Sequence, residues 1–315
     1  MKHFVSLTDF SSDELSALLD LAADIKAHPE AYREAARQKV LLMIFEKPSL
    51  RTRVSFETGM THMGGHAIHY DTATSPLGAG KETVHDTIKV VSRYVDVVMA
   101  RLFEHSDLME MAEHSSVPVI NGLTNYSHPC QIVADLLTMR ERFGSLSGRT
   151  LCYQGDSNNN VTHSLMLGGV MTGMDVRVGC PDDPDFAPDP AVLAQARKIG
   201  ATTGASCDVF HDAKEAADGS DVVYTDSWMS YHIPKEEQEA RHAILQPYQV
   251  TDAVMDAAGG DAVFMNCLPA HRGFEQTASV IDGPQSVVFD QAENRMHGQN
   301  AVMVTLLRAA AEKKG

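Results

Sequence analysis

The segment Phe45-Glu46-Lys47-Pro48-Ser49-Leu50-Arg51-Thr52-Arg53 holds the residues of this 315-residue chain best suited to chemistry. The apolar run Val40–Phe45 reads as a buried strand that stops before Pro48. Ser49 is placed to cap a helix whose first turn carries Arg51, Thr52 and Arg53. A helix start presents unpaired backbone N–H groups and the positive end of the dipole, which together suit an anion. Two guanidinium forks in the same turn match the oxygens of a phosphate. Without an anion, cations at a helix N-terminus are mildly unfavourable, by about 0.3–1 kcal/mol each. The plain alternative is a capped helix with two solvated arginines, and the motif alone does not separate the two.

Four further segments follow: His128-Pro129-Cys130-Gln131, Asp226-Ser227-Trp228, Asn266-Cys267-Leu268-Pro269 and Glu293-Asn294-Arg295. Each alone has an ordinary reading. His-Pro-Cys-Gln makes a rigid turn with a buried histidine, Cys267 an inert thiol, and Asp226 a turn or helix cap. Taken in this order and at these separations, the five segments resemble the carbamoyltransferases of amino-acid metabolism, the aspartate/ornithine carbamoyltransferase family, on its ornithine side. The resemblance runs from the first helix to the last. It includes Val119-Ile120-Asn121-Gly122-Leu123-Thr124 and Tyr248-Gln249-Val250.

The resemblance implies a reaction and its residues. Ser49, Leu50, Arg51, Thr52 and Arg53 would hold the phosphate of carbamoyl phosphate. Arg101 and Arg295 would add further contacts, His128 would donate to the carbamoyl oxygen, and Gln131 would read the carbamoyl nitrogen. A glutamine offers a donor and an acceptor, so it suits an amide-like group. Cys267 and Leu268 would place the amine against the carbamoyl nitrogen, with Arg101, His128 and Cys267 closest to the chemistry. Asn160, Asp226 and Ser230 would take the amino acid, L-ornithine, and Tyr231, though it departs from the family's residue there, is expected to line the same site through its flat apolar face. The amine attacks directly, a tetrahedral intermediate forms and phosphate leaves. No cofactor is implied, and the resemblance implies a homotrimer or a multiple of trimers, with the loop at 74–81 reaching a neighbour's active site. The same chemistry on an N-acyl-ornithine or on putrescine, and a non-catalytic anion-binding subunit, are the competing readings.

The chain departs from its family at four places. Leu50 follows Ser49 where ornithine enzymes often carry Thr, and Pro76 stands where many relatives have a Gln that touches carbamoyl phosphate. Proline has no N–H and no amide side chain, which leaves Ser75 or Lys81 as candidates for part of that contact. Asn266 stands where a His usually precedes Cys-Leu-Pro. The Ser-Met-Gly that closes over ornithine reads Ser230-Tyr231-His232 here, followed by Ile233-Pro234.

The elements that position these residues follow from pattern. Ser11 and Ser12 precede Asp13 and Glu14 at a helix start, with Leu15, Leu18, Leu19, Ala22 and Ile25 on one face. Helices are expected at 83–94, 132–139, 161–174 and 301–313, and strands at 95–100, 117–120, 150–154, 175–179, 222–225 and 262–265. Such alternation implies parallel sheets covered on both faces. The Gly-Ser-Leu-Ser-Gly at 144–148 is the best boundary. It gives a carbamoyl-phosphate domain over 1–144, an amino-acid domain over 145–295, and a terminal helix over 296–315 packing back toward the first. The fold class is α/β, two open parallel-sheet domains with the active site in the cleft between them. Residues 181–190, rich in Pro and Asp, read as an exposed loop. No Gly-x-Gly-x-x-Gly marks a dinucleotide site.

Composition narrows the partners. Lys and Arg number 26 against 42 Asp and Glu, a formal charge of −16, which argues against nucleic acid and anionic membranes. The five cysteines form no disulfide framework, and the 15 histidines form no His-x-x-x-His set with a third ligand, so no metal is expected. There is no signal-peptide core and no apolar run near the roughly 20 residues of a membrane span. A reducing cytoplasm is the expected location.

Overall fold

The computed structural model describes residues 2–229 and 235–313. It separates into two compact units, Met1–Leu137 with Glu293–Gly315, and Thr138–Ala292.

The first unit runs α1 (Ser12–Ala27), β1 (Val40–Phe45), α2 (Leu50–His62), β2 (His66–Asp71), α3 (Val84–Val91), β3 (Val97–Arg101), α4 (His105–His114), β4 (Val119–Leu123) and α5 (Pro129–Phe143). Ser11 caps α1 in a reciprocal capping box with Glu14, which satisfies two of the first-turn donors. The strands form one parallel sheet in the order β2-β1-β3-β4. β1 and β3 are central and buried on both faces, so they read as continuous apolar runs. Leu42, Ile44, Val98, Ala100 and Val119 pack there against Ile88, Leu108 and Met111. β2 is an edge strand, half-exposed and carrying His66, His69 and Asp71, so it shows no apolar run to read.

The second unit continues with β5 (Thr150–Gln154), α6 (Asn160–Met171), β6 (Asp175–Gly179), α7 (Pro190–Thr203), β7 (Cys207–Phe210), α8 (Ala213–Ala217) and β8 (Val222–Thr225). α9 (Lys235–Leu245), α10 (Asp252–Ala258), β9 (Val263–Asn266) and α11 (Ala278–Ile281) complete it, before α12 (Val288–Glu312). Its parallel sheet has the order β7-β6-β5-β8-β9. Phe264, Val223 and Cys152 pack against Val250, Val254, Met255 and Ile281. Residues 181–189 form a loop with no regular strand, and Asp189 caps α7 with Pro190 at its first position.

The division between the two units falls inside α5 and inside α12, in continuous helix. α12 begins at Val288 rather than near 301, because polar Gln291, Asn294 and Arg295 hide its buried face from a hydrophobic pattern.

Both sheet orders reverse once. In the first unit the chain steps outward from β1 to β2, then restarts on the other side at β3; in the second it restarts between β5 and β8. Ligands of open α/β sheets bind beyond the carboxyl ends of strands at such a reversal. The residues after β1 and β3 are the Ser49–Arg53 turn and Arg101 at the strand end; those after β5 and β8 include Asn160 and Asp226.

Candidate active site

In the first unit, Ser49 is the N-cap of α2, and its hydroxyl accepts from the Thr52 N–H at 3.3 Å. Thr52 is buried, Arg51 half-buried, and Leu50 points to solvent. Arg53 is exposed and pairs with Glu57 one turn on, at 3.0 Å. Arg51 is therefore better placed than Arg53 to serve an anion at the helix start.

Arg295 is the centre of this site. From α12 its guanidinium donates to Gln131 Oε1, to Thr52 Oγ1 at 3.4 Å, and to His128 Nε2 at 3.2 Å. All four side chains are buried. Gln131 has its other end fixed by Asp135, whose Oδ1 accepts from Nε2 at 2.7 Å. Burial is the main cause that holds His128 well below its ordinary range, and Arg295, Arg101 and Lys47 press in the same direction. The ring is thus neutral at neutral pH. A guanidinium can only donate, so Nε2 accepts and the ring proton sits on Nδ1.

Arg101 closes β3 and is 8% exposed. Beside it stands Lys47, equally buried, with its ammonium on Asn125 Oδ1 and over the Phe103 ring at 4.3 Å. Burial, then the Arg101 charge, lowers Lys47 to about 8. Several cations crowded around a neutral histidine make a locally positive region in a chain of net charge −16. No motif rule singles out Lys47 or Asp135 in the amino-acid sequence. Lys47 lies inside the first motif, and its position directly after a strand was the available signal.

The loop after β2 uses its own polar groups. Ser75 Oγ donates to the Thr72 carbonyl at 2.9 Å and accepts from the Gly78 N–H at 3.3 Å, so its hydroxyl is engaged within the loop. Lys81 is exposed.

In the second unit, Asp226 follows β8 and Cys267 follows β9, and the Cys267 thiol donates to Asp226 Oδ1 at 3.0 Å. Asn160 opens α6, directly after the N-cap Asn159. Leu268 has a φ of 56°, with a cis bond to Pro269. Ser230 and Tyr231 lie outside the described residues. Arg241 of α9 pairs with buried Asp156 and donates from Nε to the Trp228 carbonyl at 2.7 Å, which ties α9 to the segment after Asp226. The structure thus joins Thr52, His128, Gln131 and Arg295 into one network, and Asp226 with Cys267 into another.

Gly155 explains part of this second arrangement. Its φ of 118° suits glycine, and a Cβ there would sit 2.6 Å from the Trp228 indole nitrogen. Gly155→Ala is expected to cost about 1–3 kcal/mol, from overpacking and backbone strain together. Because Trp228 is the single tryptophan, its emission should shift in the folded variant, and thermal melts followed by fluorescence read both effects.

Residues 2–141 match the carbamoyl-P binding domain of aspartate/ornithine carbamoyltransferase, and residues 147–306 match its Asp/Orn binding domain. The ornithine carbamoyltransferase of Methanothermobacter thermautotrophicus is 49% identical over 307 residues, which span 98% of this chain and 99% of that one. The solved ornithine carbamoyltransferase from Pyrococcus furiosus aligns with a TM-score of 0.92 at 43% identity, over 97% of each chain. An acetylornithine transcarbamylase complexed with acetylcitrulline aligns with a TM-score of 0.86 at 32% identity, over 97% of this chain and 99% of that one. Identity of this order along nearly the whole length of both partners, over the same two-sheet fold, is a mark of common descent, and this chain belongs to the aspartate/ornithine carbamoyltransferase family of transferase enzymes.

Proposed function

We propose that the enzyme transfers the carbamoyl group of carbamoyl phosphate to the side-chain amine of L-ornithine, giving citrulline and phosphate for arginine biosynthesis. The observation that carries this reading is the buried network of Arg295 with Thr52, Gln131 and His128. It sits beside Arg101 at the sheet reversal of the first unit. The α2 N-terminus with Ser49, Arg51 and Thr52 takes the phosphate, with Arg53 at the rim. His128 donates to the carbamoyl oxygen, where negative charge grows as the amine attacks. Gln131 reads the carbamoyl nitrogen. The amine nitrogen bonds to the carbonyl carbon, the carbon–oxygen bond to phosphate then breaks, and phosphate leaves with the electron pair.

Asp226 faces the α-ammonium of ornithine, Asn160 its carboxylate, and Cys267 helps to hold the amino acid. This choice disfavours the two rival amines. N-Acetylation removes the charge that Asp226 would meet, and putrescine has no α-carboxylate to satisfy the remaining groups. The two family-domain matches and the higher identity to ornithine enzymes than to the acetylornithine enzyme support the same choice. Product formation with ornithine, N-acetylornithine and putrescine, measured side by side, tests it. Ornithine should be favoured in kcat/KM by about a hundredfold or more, since a site built for polar groups rejects analogues that leave those groups unpaired. Equal or faster turnover of either rival overturns the assignment. We propose a homotrimer or a multiple of trimers as the active form, read by light scattering on the same preparation.

A further inference from the structure

Asn266, the last residue of β9, stands where the family resemblance leads one to expect histidine. Its side chain is fully buried, as are those of Gln276 and Gln291. The backbone settles which way each amide faces. The Leu268 N–H donates to Asn266 Oδ1 at 2.8 Å, which leaves Nδ2 to donate to Gln276 Oε1 at 3.1 Å. Gln276 Nε2 then donates to the His271 carbonyl at 3.2 Å, and Glu275 accepts from the His271 N–H at 2.7 Å. The Asn266 N–H itself donates to Gln291 Oε1 at 3.0 Å, and Gln291 Nε2 reaches the Tyr224 hydroxyl at 3.0 Å. One directional chain therefore runs from the Leu268 N–H through two buried amides to the His271 carbonyl. It encloses Leu268, whose positive φ is a conformation a leucine keeps only where its surroundings impose it. Between Asn266 and Leu268 sits Cys267, its thiol on Asp226.

The geometry points to Asn266 and Gln276 as positioning residues for the amino-acid substrate, a buried amide pair that fixes the Cys267–Leu268 turn and keeps the thiol on Asp226. This inference rests on the reading of Asp226 and Cys267 as ornithine contacts. Asn266 acts through the turn and touches no substrate. A neutral histidine also offers one acceptor and one donor, but on two nitrogens of a rigid ring, whereas the Asn266 amide presents both from a single carbon to the Leu268 N–H and Gln276 Oε1.

The test uses the full-length enzyme with Gln276→Leu, Asn266→Asp and the double variant Asn266→Leu/Gln276→Leu. Gln276→Leu and Asn266→Asp should raise the KM for ornithine about tenfold, as expected for one disrupted buried hydrogen bond. The KM for carbamoyl phosphate should stay within about twofold, well inside that margin. Cys267 is partly exposed and the other four cysteines are buried, so alkylation by iodoacetamide, mapped by mass spectrometry, reads the turn without substrate. Its rate at Cys267 should rise in both variants. The double variant leaves the Leu268 N–H and the His271 carbonyl without these partners, so it should be less stable than the parent. Its KM for ornithine should rise at least as far as in the single variants while its KM for carbamoyl phosphate stays within about twofold, a split that a merely structural role would not produce. Where Asn266→Asp fails to fold, Gln276→Leu carries the test. An unchanged KM for ornithine in Cys267→Ala overturns the assignment of Cys267, and this inference with it. A raised KM in Cys267→Ala, with unchanged ornithine kinetics and alkylation in Gln276→Leu, overturns the inference alone.

Discussion

Arg295→Ala should lower kcat/KM for carbamoyl phosphate by about a thousandfold or more, the upper end of what one lost transition-state donor costs. The expectation exceeds that of a single contact because Arg295 holds three other groups. Without it, Gln131 keeps only its tie to Asp135, and Thr52 and His128 lose a shared donor. Arg295→Lys should rescue little, since a point ammonium cannot reproduce a fork that serves three acceptors. The same change has a spectroscopic consequence. The Arg295 charge is one of the causes that keep His128 low, after burial, so its removal should move the His128 titration upward. Activity within tenfold of the parent, or an unmoved His128 resonance in an NMR titration, would sink this account.

The second large effect belongs to stability. Glu275 is 1% exposed, and burial raises its carboxyl to about 7 from an ordinary 4.5, with Asp226 adding to the shift and the His271 N–H opposing it. Below about 4.5 the folded and unfolded chains both hold the proton. As pH rises toward 7, the unfolded chain ionises first, so a raised folded pKa means stability lost with increasing pH. Across that window the loss is on the order of 3 kcal/mol. Glu275→Gln keeps an oxygen for the His271 N–H but does not titrate. Denaturant melts of both proteins at pH 5 and pH 8 should therefore show the variant gaining on the parent at the higher pH. A stability difference equal at both pH values would mean that Glu275 is not the titrating group.

These residues also show what the amino-acid order discloses. β1, β5, β6 and β8 begin and end where their patterns predict: β1 is an unbroken apolar run, as a central parallel strand should be, and β6 alternates buried Val176 and Val178 with Asp175 and Arg177. The edge strands β2 and β7 escaped notice, since only part of each is buried. The Ser49 cap was legible from local rules alone. Arg295 was legible as a motif, but its three partners lie more than 150 residues away in sequence, beyond any spacing rule. Glu275 shows a different limit. Its raised pKa follows from burial, and nothing in Phe274-Glu275-Gln276 marks one carboxylate as buried and the next amide as its neighbour in a network.

The discontinuous make-up of the first unit bears on how the protein is born. A ribosome delivers Ser49, Thr52, His128 and Gln131 early, then the whole of Thr138–Ala292, and only afterwards the stretch with Arg295. Domains usually mature in order of synthesis, N-terminal first. Here the N-terminal unit has its four strands by Leu123 but waits for the Arg295 stretch of α12, while the unit encoded in the middle is complete at Ala292. Nascent chains stalled before α12 should accordingly carry a folded centre behind an unfinished beginning, and a release that comes too soon would leave Thr52, His128 and Gln131 without their shared donor.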